Sequence, residues 1–117
     1  MNLTVKSEFT LTTHGHSNED LPGHVDAVMR ELIALEECDD SLTDSAVGLD
    51  IGSMTVEISV SIQNPSSYDQ ALSRAVGTIR AAIHAAGGFT PDWPGKPLKP
   101  RSESLRYEAR ETHAVLA

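Results

Sequence analysis

The chain has a single cysteine, Cys38, and aromatic residues make up only 4% of its 117 positions. One thiol excludes an intrachain disulfide and fits a reducing cytoplasm. With one Trp, two Tyr and two Phe, a core has to be built from Val, Ile, Leu, Ala and Met. No apolar run approaches the ~20 residues of a membrane span. The segment Met1-Asn2-Leu3-Thr4-Val5-Lys6 lacks the charged-then-apolar pattern of a signal peptide. Basic residues are scarce as well, nine against 17 acidic, for a formal charge of −8. Nucleic-acid phosphates have to be met by Lys and Arg, so this balance argues against nucleic acid as a partner. The expectation is one cytoplasmic domain with neither a nucleic-acid nor a membrane partner.

The scarce cations are unevenly spread. Residues 1–73 hold two basic residues (Lys6, Arg30) against thirteen acidic, a charge of −11, and residues 74–117 hold seven against four, a charge of +3. Such polarity draws one end of a molecule toward the opposite end of another copy, or toward an acidic protein.

The most legible stretch runs from Met54 to Gly88. Met54, Val56, Ile58, Val60 and Ile62 alternate with Thr55, Glu57, Ser59, Ser61 and Gln63, which predicts a strand with one apolar and one polar face. Asn64-Pro65 ends it. Ser67 followed by Gln70 has the spacing of a capping box. The helix it opens carries Tyr68, Leu72, Ala75, Val76, Ile79, Ile83 and Ala86 as an apolar stripe. Gly87-Gly88 supplies its left-handed stop. Gly77, inside that helix, reads either as a tolerated glycine or as a point of close helix approach.

Before this unit, Asn2 to Thr12 alternates as a first strand, with Ser7 the lone polar member of its apolar row. A polar loop leads to a helix from about Leu21 to Glu37, with Leu21, Val25, Val28, Leu32 and Leu35 on one face, widened by Met29 and Ile33. Acidic residues at its end oppose the helix dipole and predict fraying near Cys38-Asp39-Asp40. Ser45 to Ile51 predicts a second strand, joined by Asp50-Ile51-Gly52-Ser53 to the third in a hairpin. Beyond residue 90, four prolines in residues 91–100 make an extended connector, and Ser102 to Arg110 alternates as a thin, edge-like strand.

The organisation is therefore an α+β core over residues 1–90, with residues 91–117 as a proline-rich connector and C-terminal edge strand of the same domain. The order β-α-β-β-α(-β), with two helices on one face of an antiparallel sheet, resembles the ferredoxin-like two-layer sandwich over nearly the whole chain. Its overall look is similar to that of small bacterial proteins. Neither likeness implies an activity.

Two groups of residues carry chemistry. His14 and His16, with Glu19, Asp20 and His24 nearby, have donors suited to a divalent metal, although the spacing matches no strong zinc motif; the plainer reading is a polar loop. The C-terminal stretch combines Trp93 with Lys96, Lys99, Arg101, Arg106 and Arg110 as a binding surface. Trp93 reads either as a binding anchor or as a lid over the core. Cys38 sits among acids that favour an inert thiol. His84 lies one turn from Arg80, on a side of the helix that reads as solvated. No glycine-rich phosphate loop and no catalytic constellation stands out. The leading reading is a small non-enzymatic interaction or adaptor module, homodimeric and without a cofactor. The alternative is a small-ligand or metal sensor using His14, His16 and His24.

Overall fold

The computed structural model describes residues 2–12, 21–90 and 105–116, apart from the side chains of residues 89 and 105. Its elements are β1 (Asn2–Thr12), α1 (Leu21–Cys38), β2 (Leu42–Asp50), β3 (Thr55–Gln63), α2 (Tyr68–Ala85), β4 (Gly88–Phe89) and β5 (Leu105–Leu116). The sheet order is β2-β3-β1-β5-β4. The four long strands pair antiparallel, and the two-residue β4 adds in parallel to β5. The class is α+β, with two helices, as the patterning predicts.

The first strand made is the central strand of the sheet. Leu3, Val5, Phe9 and Leu11 of β1 line up with Val56, Ile58, Val60 and Ile62 of β3 and Tyr107 of β5 in one buried layer. Leu21, Val28 and Leu32 of α1 and Ala71, Ala75, Ile79, Ala82 and Ile83 of α2 complete the same core cluster. Each large aliphatic side chain taken wholly from water contributes roughly 1.5–3 kcal/mol. Ser7 is buried within that layer, and its hydroxyl shares a 3.1 Å hydrogen bond with that of Thr112, its cross-strand partner.

The cap of α2 matches the sequence reading: Ser67 is extended at φ −148°, and its hydroxyl accepts the Gln70 N–H. Gly87 takes φ +99° and stops the helix. The covered face of α2 is rotated from the predicted stripe, because Ala71 and Ala82 are buried while Tyr68 is 47% exposed. In α1, Ile33 likewise faces solvent.

Four expectations are corrected. The end of α1 is tied down rather than frayed. Glu36 Oε1 accepts both the N–H and the hydroxyl of Ser45 at 3.1 Å. Asp39 accepts from Ser41 N, from Ser41 Oγ and from Arg74 of α2. The second strand starts at Leu42 and ends before Ile51. Asp44 adopts φ 53° within a register shift between Thr43 and Ala46, and this bulge hides the alternation of the strand's first half. Met54 belongs to the turn at φ 54°, although its carbonyl still accepts the Leu11 N–H at 2.8 Å. The last strand runs on to Leu116 rather than stopping at Arg110. The register with β1 skips Arg110 between Ala109 and Glu111, and this bulge reverses the phase of the alternation.

Candidate interaction surface

The face of the sheet away from the helices is polar and arranged in cross-strand rows. Thr55, Thr10 and Glu108 form one row; Glu57, Glu8 and Glu111 the next; Ser59, Lys6 and His113 the next; Ser61, Thr4 and Val115 the last. Residues directly opposite on one face sit within side-chain reach, so the three glutamates oppose one another unfavourably. The neighbouring basic row relieves this diagonally. Lys6 Nζ lies 3.5 Å from Glu57 Oε1, and His113 Nε2 lies 3.0 Å from Glu111 Oε2. The hydroxyls of Thr4 and Ser61 share a 2.8 Å hydrogen bond. Between β2 and β3, Gly48, Leu49, Asp50, Thr55 and Glu57 line an open depression of about 290 Å³.

Of the basic residues singled out from the sequence, Arg106 and Arg110 reach this face. Arg106 Nε is 3.2 Å from Glu108 Oε1, close enough for an ion pair although its direction makes no hydrogen bond. Arg110, in the bulge, donates from Nη1 to Thr10 Oγ1 at 3.4 Å. Trp93, Lys96, Lys99 and Arg101 lie outside the described residues, as do His14 and His16.

His24 is on the first turns of α1, where its Nε2 shares a 2.6 Å hydrogen bond with the Tyr107 hydroxyl. Burial pushes the Tyr107 phenol pKa well up, so the hydroxyl keeps its proton, and the imidazole tautomer sets which of the two groups donates. A metal bound through His24 Nε2 has to displace this bond. Among the described residues, no group of three or more His, Cys, Asp or Glu side chains is placed to hold a metal ion. His84 Nε2 is 3.0 Å from the hydroxyl of the buried Thr90. Desolvation, with Arg80 nearby, lowers the His84 pKa.

The sequence suggests an edge strand up to Arg110; what it did not reveal is how far the outer edge of β5 runs, to Leu116. The strand β4 pairs only with Leu105 and Arg106. From Tyr107 to Leu116 the side of β5 away from β1 has no strand partner among the described residues. Near its end, Val115 is 62% and Leu116 49% exposed. An edge with unpaired N–H and C=O groups and exposed apolar side chains is a template for another strand. At the opposite edge, β2 is interrupted by the Asp44 bulge, a common way to blunt pairing. The signal for the longer strand was present in the alternation of Thr112, Ala114 and Leu116 with His113 and Val115, one phase out from the residues before the bulge.

No protein-family model, curated protein or solved structure matches the chain.

Proposed function

We propose that this protein is a small non-enzymatic association module that works as a homodimer. The observation that carries the reading is the β5 edge from Tyr107 to Leu116, which has no strand partner among the described residues and has Val115 and Leu116 exposed beside it. Unpaired edges are costly to leave bare, and strand addition satisfies their backbone groups while covering apolar side chains. The fold we assign is the ferredoxin-like sandwich. The order β1-α1-β2-β3-α2-β5 and the antiparallel neighbours β2-β3-β1-β5 support that assignment. The module acts in the cytoplasm; no described helix is long and apolar enough to cross a membrane. Its contacts to other proteins use the basic C-terminal stretch, Arg106 and Arg110 with Trp93, Lys96, Lys99 and Arg101, against an acidic protein surface. Nucleic acid and membrane are not its partners.

Native mass spectrometry of the untagged protein tests the reading. The expected spectrum shows twice the 12.6 kDa chain mass with nothing added. A monomer at every concentration overturns the homodimer, and a retained metal or small molecule moves the assignment to the sensor class.

A further inference from the structure

We propose that the second copy docks on the bare edge of β5 by antiparallel pairing about a two-fold axis at Thr112, joining the two sheets into one. The inference rests on the homodimer reading above and adds the surface and its register.

Identical antiparallel strands related by a two-fold axis pair symmetrically, each residue facing one equally far on the other side of the axis. Two features of β5 restrict where that axis falls. The strand β4 already occupies the edge at Leu105 and Arg106, so among the described residues of β5 those from Tyr107 to Leu116 are left for a partner strand. Arg110 is an extra residue in the pairing with β1 and is skipped in counting. With the axis at Thr112, Glu111 faces His113 of the second copy, Ala109 faces Ala114, Glu108 faces Val115, and Tyr107 faces Leu116. The pairing then fills the free edge from end to end and stops where β4 begins.

The faces agree as well. Tyr107, Ala109, Thr112, Ala114 and Leu116 all stand opposite residues of the core layer of β1, and Glu108, Glu111, His113 and Val115 opposite its polar row. Every pair in this register joins like with like, so Leu116 and Ala109, both exposed, gain cover on the core side.

Charge selects the same axis. Centred on Glu108, Arg110, Glu111 or His113, the pairing sets each of those residues against its own copy. Centred on Ala109, it sets Glu111 against Glu108 and drives the partner strand into β4. Centred on Ala114, it leaves Glu111 and everything before it unpaired. At Thr112, the acidic row Glu57–Glu8–Glu111 of one copy continues directly into the row of the His113 imidazole and the Lys6 ammonium of the other, and the reverse holds across the axis. The like-charge row that ends at the monomer's edge thereby meets its complement twice.

Cysteine crosslinking reads the register directly. In a Cys38→Ser background, Thr112→Cys places two thiols at Cα positions about 4.5–5.5 Å apart, inside the range a disulfide spans. Val115→Cys places them roughly 20 Å apart at about 3.3 Å per residue. The expected result is a disulfide-linked dimer for Thr112→Cys and none for Val115→Cys. A second set of variants uses charge alone. Glu111→Lys is expected to raise the dimer dissociation constant about tenfold, and adding His113→Glu is expected to restore it. A native dimer that crosslinks at residue 115, or whose affinity ignores the charge exchange, overturns this register and leaves the homodimer standing. A chain that stays monomeric overturns both.

Discussion

Tyr107 joins the parts of this fold through contacts that a single side chain can make. Its ring meets Phe9 edge-on at 5.4 Å and 75°, and its hydroxyl bonds His24. A side chain with an apolar body and one polar tip can be buried only if the tip finds a partner. Truncating His24 leaves the hydroxyl buried and without this bond, whereas Tyr107→Phe removes the hydroxyl and its requirement together. His24→Ala is therefore expected to cost about 1–3 kcal/mol and Tyr107→Phe about 1 kcal/mol or less. Urea denaturation followed by circular dichroism checks the order. A Tyr107→Phe loss larger than that of His24→Ala contradicts it. If zinc binding requires His24 Nε2, Tyr107→Phe strengthens it, and a zinc titration unaffected by that substitution argues against a site there.

At the level of the element, the two glycines of interest around α2 have opposite roles. Gly77 is exposed in mid-helix, and a Cβ there meets nothing within 4 Å. Among the described residues no other helix closely approaches it, which removes one of the two readings of this residue. Gly88 follows the turn and has no positive φ, yet a Cβ there falls 2.8 Å from both Ile83 Cγ2 and Tyr107 Cε1. Gly77→Ala is expected to stabilise by about 0.5–1 kcal/mol, and Gly88→Ala to destabilise by about 1–3 kcal/mol through overpacking. Thermal melts of the two variants should move in opposite directions; a shift of both the same way refutes the assignment. The contrast also explains what the sequence disclosed. The uninterrupted alternation of β1 and the Ser67 cap are local signals, and both could be read residue by residue. The need for a glycine at 88 depends on Tyr107, and the closure of α1 on Arg74, 35 positions from Asp39. Bulges at Asp44 and Arg110 broke the phase of two strands, so the last strand reads as an edge but its run from Glu111 to Leu116 does not show in the alternation that precedes it. Arg106 and Arg110, by contrast, were visible as charges, though not as members of a sheet face.

For the whole molecule, acid acts in two windows. The folded-state pKa of His84 lies below its ordinary 6.5, so the unfolded chain takes up that proton first. Stability is then fully present above that pH and falls as the pH drops through the folded value. Asp39 is held below its ordinary 3.8 by hydrogen bonds from Ser41 and by Arg74, and its contribution is present above 3.8 and lost as the pH falls further. His84→Gln should flatten the melting temperature between pH 7 and 5. Asp39→Asn should lower it at neutral pH and converge with the parent only in stronger acid. Parallel curves at every pH would rule out both linkages. The pairing of Leu3 with Leu116 has a further consequence, for synthesis. A ribosome releases the sheet's central strand, β1, long before its partner β5. Until β5 emerges, β1 has β3 alone beside it, and Phe9 must wait for the Tyr107 ring. Completion of this sheet is thus a late step in folding, set by long loop closure rather than by local propensity, and a nascent chain stalled before β5 leaves one side of its central strand open to whatever is close by.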